Sequence, residues 1–261
     1  MTGRYIKWEC PECGEPPLTY IICTNPRTGS WLLSDGLAGT SVAGNPREWF
    51  NIVEEKDQRA EWRKGNSGAQ LSYTAYLRLA CSLSHTKNGI SGIKMHHFDF
   101  VRLIQKQRGL SADEMMRRLF PEVRYIHLTR RDKVRQAISY RLAVATDTWW
   151  VTVNGEIRKN GRDVRTEPLF NANAIDETVK RLTYRDAQWE AFFQRNEITP
   201  LTLCYEDDLF NEADYRRTVT RTLGWLGIPG ADAVPVPAVR LIRQSGELTE
   251  DWLRRYAKLG T

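Results

Sequence analysis

The first regular pattern begins at Tyr20, where the apolar run Tyr20-Ile21-Ile22-Cys23 breaks at Asn25-Pro26-Arg27-Thr28-Gly29-Ser30 and gives way to a Leu-rich stretch ending at Gly39. A short apolar run closed by turn residues predicts a buried strand, and the leucine spacing after it predicts a helix. Glu48 to Lys56 then reads as helix and Glu61 to Gly68 as a polar loop. Gln70 to Leu83 reads as a helix with Leu71, Ala75, Leu79 and Leu83 on one face. Gly92 to His97 predicts a second buried strand, and Ser111-Ala112-Asp113-Glu114 is a capping box opening the next helix. Tyr125 to Leu128 predicts a third strand, followed by a helix capped at Asp132. Val151 to Ile157 is a hairpin around Asn154-Gly155, Asp176 to Asn196 a long amphipathic helix, Leu201 to Tyr205 a further strand and Asp251 to Leu259 a closing helix. Strands alternating with helices predict an α/β fold, a parallel sheet flanked by helices on both faces.

The turn after the first strand carries candidate chemistry. The first N–H groups of a helix lack internal partners and favour an anion, and Gly29 lets the backbone approach one closely. Thr28 and Ser30 add hydroxyls and Arg27 a charged fork, so a phosphate- or sulfate-bearing ligand is expected. The same residues also suit a tight glycine turn into a buried helix. Neither the Walker A pattern with its lysine nor the G-x-G-x-x-G dinucleotide fingerprint occurs here, which argues against ordinary ATPases, kinases and NAD or FAD enzymes. Asn45-Pro46-Arg47-Glu48 fits an N-cap, a proline at the first helical position and a capping-box glutamate.

Pro26-Arg27-Thr28-Gly29-Ser30-Trp31 resembles the P-[KR]-[ST]-G-[ST] loop of sulfotransferases, which grips the 5′-phosphosulfate of PAPS (3′-phosphoadenosine 5′-phosphosulfate). Arg131 and Ser139 have the spacing of the arginine and serine that bind the PAPS 3′-phosphate in such enzymes, whereas a solvated charge in Arg130-Arg131-Asp132-Lys133 is the competing reading. With Gly44 to Phe50, Tyr205-Glu206-Asp207 and Leu241-Ile242-Arg243-Gln244, the chain from about Tyr20 to Tyr256 resembles the bacterial trehalose 2-sulfotransferase family.

The resemblance implies sulfuryl transfer from PAPS to a hydroxyl of a carbohydrate or glycolipid, in a homodimer with a P-loop-like fold of sulfotransferase type. Glu48 matches the family's proposed general base, and burial beside Trp49 and Phe50 is expected to raise its pKa. Arg27 and the Thr28 to Trp31 backbone would stabilise charge on the transferring group, and Arg243-Gln244 would close over the cofactor. Asn45 replaces the first glutamate of the family's motif, which implies a changed acceptor contact. Lys94 and His96, at a strand end, are candidate acceptor contacts, against a satisfied strand-end histidine; Trp149-Trp150 offers flat faces for a pyranose, against a paired core. Two other classes stay open: a nucleotide kinase with a degenerate loop, and a non-catalytic anion-binding protein.

Composition narrows this further. The 261 residues, 41% hydrophobic, suit one α/β domain over 20–261 behind a poorly ordered Cys/Pro-containing lead over 1–19. The net charge of +6 suits an anionic ligand, yet acids interleave with bases and no nucleic-acid motif occurs. No apolar stretch is long enough to span a bilayer and the start lacks a signal core, so a cytoplasmic protein is expected. Five irregularly spaced cysteines fit reduced thiols, and Cys10-Pro11-Glu12-Cys13 is half a zinc site without its second half, so no metal is expected.

Overall fold

The computed structural model describes residues 8–9, 14, 16, 18–66, 70–106, 110–161 and 167–259. In chain order the strands are β1 (Leu18–Thr24), β2 (Ile90–His96), β3 (Val123–Thr129), the short antiparallel pair β4 (Trp150–Val151) and β5 (Ile157–Arg158), and β6 (Leu201–Cys204). The helices are α1 (Ser30–Gly39), α2 (Ile52–Gly65), α3 (Tyr73–Ser84), α4 (His97–Lys106), α5 (Ala112–Leu119), α6 (Lys133–Thr146), α7 (Ala172–Arg195), α8 (Tyr205–Asp208), α9 (Glu212–Trp225) and α10 (Glu247–Ala257). The main sheet is parallel throughout, in the order β2-β1-β3-β6. Both faces are covered, so β2 is buried at every position and β1 at all but its first.

Alternation along β1 divides the core. Ile21 and Cys23 join Ile93, Met95 and Tyr125 against α3, α4, α5 and α7, while Tyr20 and Ile22 join Ile126 and Leu128 against α1 and α9 on the other face. The expected α/β fold with helices on both faces is therefore present. All carboxyl ends of the parallel strands meet at one edge, where ligands bind in open α/β sheets.

Three local expectations change. Asn45 to Glu48 is not a helix start: Arg47 pairs with Ile93 as an isolated parallel bridge, and the helix begins at Ile52, capped by Asn51, whose side chain accepts from the Val53 N–H. That helix continues through Gly65, across most of the expected loop, its acidic first turn and basic last turn matching the helix dipole. On α3 the buried face is Tyr76, Leu77, Ala80, Cys81 and Ser84, with Leu83 exposed; the Tyr76 hydroxyl donates to the Trp49 carbonyl and rotates the helix away from its leucine line. The Asn154-Gly155 hairpin forms as expected, with Gly155 at φ 82°.

The lead is anchored at Trp8, which is buried between Phe50 and Phe120 and donates its indole N–H to Ser91 Oγ at 3.0 Å. Cys10 and Cys13 lie outside the described residues. Cys23 and Cys204 are free thiols, and Cys81 is buried on α3. Among the described residues no cluster of His, Cys, Asp or Glu could hold a metal, and no helix is long and apolar enough to cross a membrane.

Candidate active site

The turn from β1 into α1 forms the floor of a cavity of about 580 Å³ at the carboxyl edge of the sheet. Gly29 caps α1 at φ 79°, and a β-carbon there would stand 2.6 Å from the Tyr205 ring, so the position requires glycine. Among the described residues no side chain caps this helix, and its first residues Ser30 and Trp31 line the cavity with Gly29, so their N–H groups are free for an anion. Thr28 is turned inward instead: its hydroxyl bonds to Thr24 Oγ1 at 2.7 Å and donates to the Asn25 carbonyl at 3.1 Å, tying the turn to β1.

Arg27 sits at φ 69° and spreads its guanidinium across the cavity wall. Its Nε donates to Ser139 Oγ at 2.9 Å, Nη2 to Gln244 Oε1 at 2.6 Å, and Nη1 to the Trp149 carbonyl. Three sequence candidates far apart in the chain thus converge on a fourth. Burial, with the nearby Arg130 charge, lowers the Arg27 pKa to about 10. Gln244 reaches Arg27 because residues 240–242 bond to the hairpin: Val153 N–H donates to the Arg240 carbonyl and Ile242 N–H to the Val151 carbonyl, each at 2.8 Å.

Opposite this floor stands Glu48. The Lys94 N–H donates to the Arg47 carbonyl at 2.9 Å, and this short extension of the sheet delivers Glu48 beside the end of β2. Lys94 Nζ lies 3.0 Å and His96 Nε2 3.1 Å from Glu48 Oε1. Burial alone would raise the Glu48 carboxyl, but the Lys94 and His96 interactions outweigh it and hold it well below the usual carboxylate range. The expected upward shift is therefore reversed. Lys94 is fully buried, with Nζ 3.4 Å from the Trp31 ring centre, and desolvation lowers its pKa to about 8. It supports the cavity wall from behind.

Several candidates lie elsewhere. Arg131 points outward, paired with Asp207, because its own N–H and that of Asp132 donate to the Glu206 carboxylate at 2.9 and 3.2 Å and turn the chain. Arg130 takes the cavity position instead, donating to the Arg27 carbonyl at 3.0 Å and covering the Tyr205 ring at 4.7 Å. Asn45 lies outside the cavity wall, its amide donating to the Leu83 carbonyl at 3.2 Å, so it stabilises a loop and does not line the site. Gly29, Ser30, Trp31, Ser139, Arg243 and Gln244 line the cavity, as do Glu48, His96, Trp149 and Trp150. Trp150 packs 5.6 Å from Trp31, and Arg243 covers Phe210 at 4.2 Å.

Arg130, Asn51, Phe98, Arg185 and Phe210 also line the cavity without having been singled out in the sequence. Tyr205 is a partial exception, since Tyr205-Glu206-Asp207 stood out as a motif but not as a wall. Arg130 beside Arg131 carried a usable signal: two adjacent arginines at a strand end cannot both face the sheet edge.

A family model described as Stf0 sulphotransferase matches residues 19–258. The trehalose 2-sulfotransferase of Mycolicibacterium smegmatis is 26% identical over 93% of this chain and 95% of its own. The trehalose 2-sulfotransferase of Mycobacterium tuberculosis is 24% identical over 91% of this chain and 93% of its own. Among solved structures, a sulfotransferase domain from the Synechococcus PCC 7002 olefin synthase, 15% identical, aligns over 96% of this chain and 98% of its own with a TM-score of 0.41. The family pattern runs from the first sheet strand to the last helix, and the chain belongs to the Stf0 sulphotransferase family.

Proposed function

We propose that this sulfotransferase uses PAPS as donor and a carbohydrate or glycolipid hydroxyl as acceptor. The observation that carries the reading is the Arg27 convergence: an uncapped helix N-terminus and a guanidinium without a carboxylate partner among the described residues face Glu48 across one cavity. The donor-side residues fit a nucleotide with two anionic groups. Arg130 Nε and Gln244 Nε2 are buried without hydrogen-bond partners among the described residues, and both belong to residues of the cavity wall.

PAPS, when bound, supplies a sulfuryl group activated by its bond to the 5′-phosphate. The chain's own residues then divide the work. Arg27 and the N–H groups of Ser30 and Trp31 hold negative charge on the donor side without needing to reorganise. Ser139 and Gln244 fix the Arg27 fork. Arg130, in place of Arg131, is the arginine positioned for the 3′-phosphate, with Arg243 on the same side. Glu48, ionised throughout the working pH range, accepts the acceptor hydroxyl proton, and Lys94 and His96 keep it deprotonated and aimed. Trp149 and Trp150 form a wall suited to a sugar ring. The kinase alternative is not favoured, since the loop lacks a Walker lysine and the family match is to sulfotransferases. A cytoplasmic homodimer completes the reading, by analogy with the family.

Thermal unfolding with PAP (the desulfated product), PAPS, ATP and NAD, followed by transfer from labelled PAPS to trehalose and other sugars, tests it. A hundredfold excess of a ligand specific for the folded state adds about 2.7 kcal/mol. Stabilisation by PAP and PAPS with transfer to a sugar supports the reading; stabilisation by ATP and not PAP overturns it.

A further inference from the structure

Six arginines line the cavity: Arg27, Arg130, Arg135, Arg158, Arg185 and Arg243. Three of them have a carboxylate within ion-pair distance, Arg130 with Glu206 at a loose 3.7 Å, Arg135 with Glu250 at 2.5 Å and Arg158 with Asp57 at 2.7 Å. Among the described residues Arg27, Arg185 and Arg243 have no carboxylate within ion-pair distance. Arg27 and Arg243 stand on the donor side with Arg130, where the 5′-phosphosulfate and 3′-phosphate of the proposed donor answer them. Arg185 has no such answer.

Arg185 projects from α7 over the ring of Phe98 at 5.3 Å, and that ring lies 5.3 Å from His96. It therefore belongs to the Glu48 end of the cavity. The carboxylates there are already engaged, Glu48 by Lys94 and His96, and Glu54 by Arg47 at 3.8 Å. Asp99, on α4, is buried and accepts from Asn51 at 3.3 Å; it acts on Arg185 only from beyond ion-pair distance, and burial pushes its own carboxyl up to about 7. Arg181, one turn before Arg185, adds a like charge, and burial first and this neighbour second lower the Arg185 pKa. A partly desolvated guanidinium with no carboxylate in contact is costly unless a ligand supplies one.

We infer that the acceptor is itself anionic, a sugar bearing a phosphate or carboxylate that pairs with Arg185 while its hydroxyl faces Glu48. The inference rests on the sulfotransferase reading above and names the acceptor class for the same site. Carbohydrate chemistry alone would not call for a third uncompensated arginine.

The test is equilibrium binding to the full chain saturated with PAP, which needs no turnover. The matched pairs are trehalose with trehalose 6-phosphate and glucose with glucuronic acid, so the two arms separate phosphate from carboxylate. An anionic member should bind about ten- to hundredfold tighter than its neutral parent. Arg185→Gln should abolish that difference and leave PAP affinity unchanged, and Arg185→Lys should restore part of it. Equal affinity within both pairs, or a preference that survives Arg185→Gln, overturns the inference while leaving the donor assignment intact. Failure of PAP itself to bind removes the underlying reading, and this one with it.

Discussion

Lys94 Nζ lies 3.0 Å from Glu48 Oε1, on a lysine whose side chain has no access to solvent. A buried ion pair of this kind is a weak source of stability but a strong determinant of ionisation, because removing one partner strands the other charge. Here it keeps the carboxylate that faces the cavity deprotonated. The cost of burying Glu48 is more than offset by two donors on one oxygen.

Removing the Lys94 charge should expose that control. Lys94→Met should raise the Glu48 pKa, so that an acid limb appears at higher pH in the kcat/KM profile, shifted by about one unit or more. The wild-type profile should show no such limb down to the usual carboxylate range. Glu48→Gln should lose turnover by about 10²- to 10⁴-fold while binding PAP normally. Identical acid limbs in wild type and Lys94→Met would separate the lysine from the base, and full turnover in Glu48→Gln would remove the base altogether.

Arg130 and Arg131 offer a cleaner comparison because they are sequence neighbours facing opposite ways. Arg130→Ala should weaken PAP about ten- to hundredfold, as expected for loss of charge-assisted hydrogen bonds to an anion. Arg131→Ala should leave PAP affinity unchanged, since its partner Asp207 is at the surface. Isothermal titration with PAP decides between them, and the reverse ranking would return the phosphate contact to Arg131.

The fold was legible because its signals are local: buried runs, caps and turn residues fix strands and helices without tertiary help. The loop at Arg27 to Trp31 was legible for the same reason. Glu48 stood out from its motif, yet its environment did not, since Lys94 and His96 are brought to it only by the pairing of Arg47 with Ile93. The capping pattern at Asn45 to Glu48 was real in sequence and lost to that strand pairing. Arg130 and Arg131 could not be ranked from residue type, because the turn imposed by Glu206 comes from β6 and α8, far away in the chain. Arg185 carries no motif at all; its meaning depends on which neighbours lack a counter-charge.

Gly29→Ala probes the cradle directly. A left-handed residue other than glycine costs about 1–2 kcal/mol, and the added methyl would meet Tyr205 at 2.6 Å. Tyr205 in turn lies beneath Arg130. The variant should therefore unfold at lower temperature and show a reduced thermal shift with PAP. An unchanged PAP shift would mean that the helix N-terminus is not where the anion binds.

Asp99 gives the molecule a pH dependence of stability with a definite sign. Burial raises its carboxyl to about 7 from an ordinary value of 3.8, with His96 lowering and Glu48 raising it in smaller measure. A folded-state value above the unfolded one means that the unfolded chain releases the proton first as pH rises. The contribution of Asp99 is thus complete below about pH 4 and is lost progressively up to about pH 7. Asp99→Asn keeps an oxygen to accept from Asn51 and removes the titration. Urea unfolding should find the variant equal to wild type near pH 4 and more stable by about 1–3 kcal/mol at pH 8. Equal stability at both pH values would show that the Asp99 carboxyl titrates alike in the folded and unfolded chains, whereas a loss of stability at pH 8 would make the carboxylate a required partner of His96.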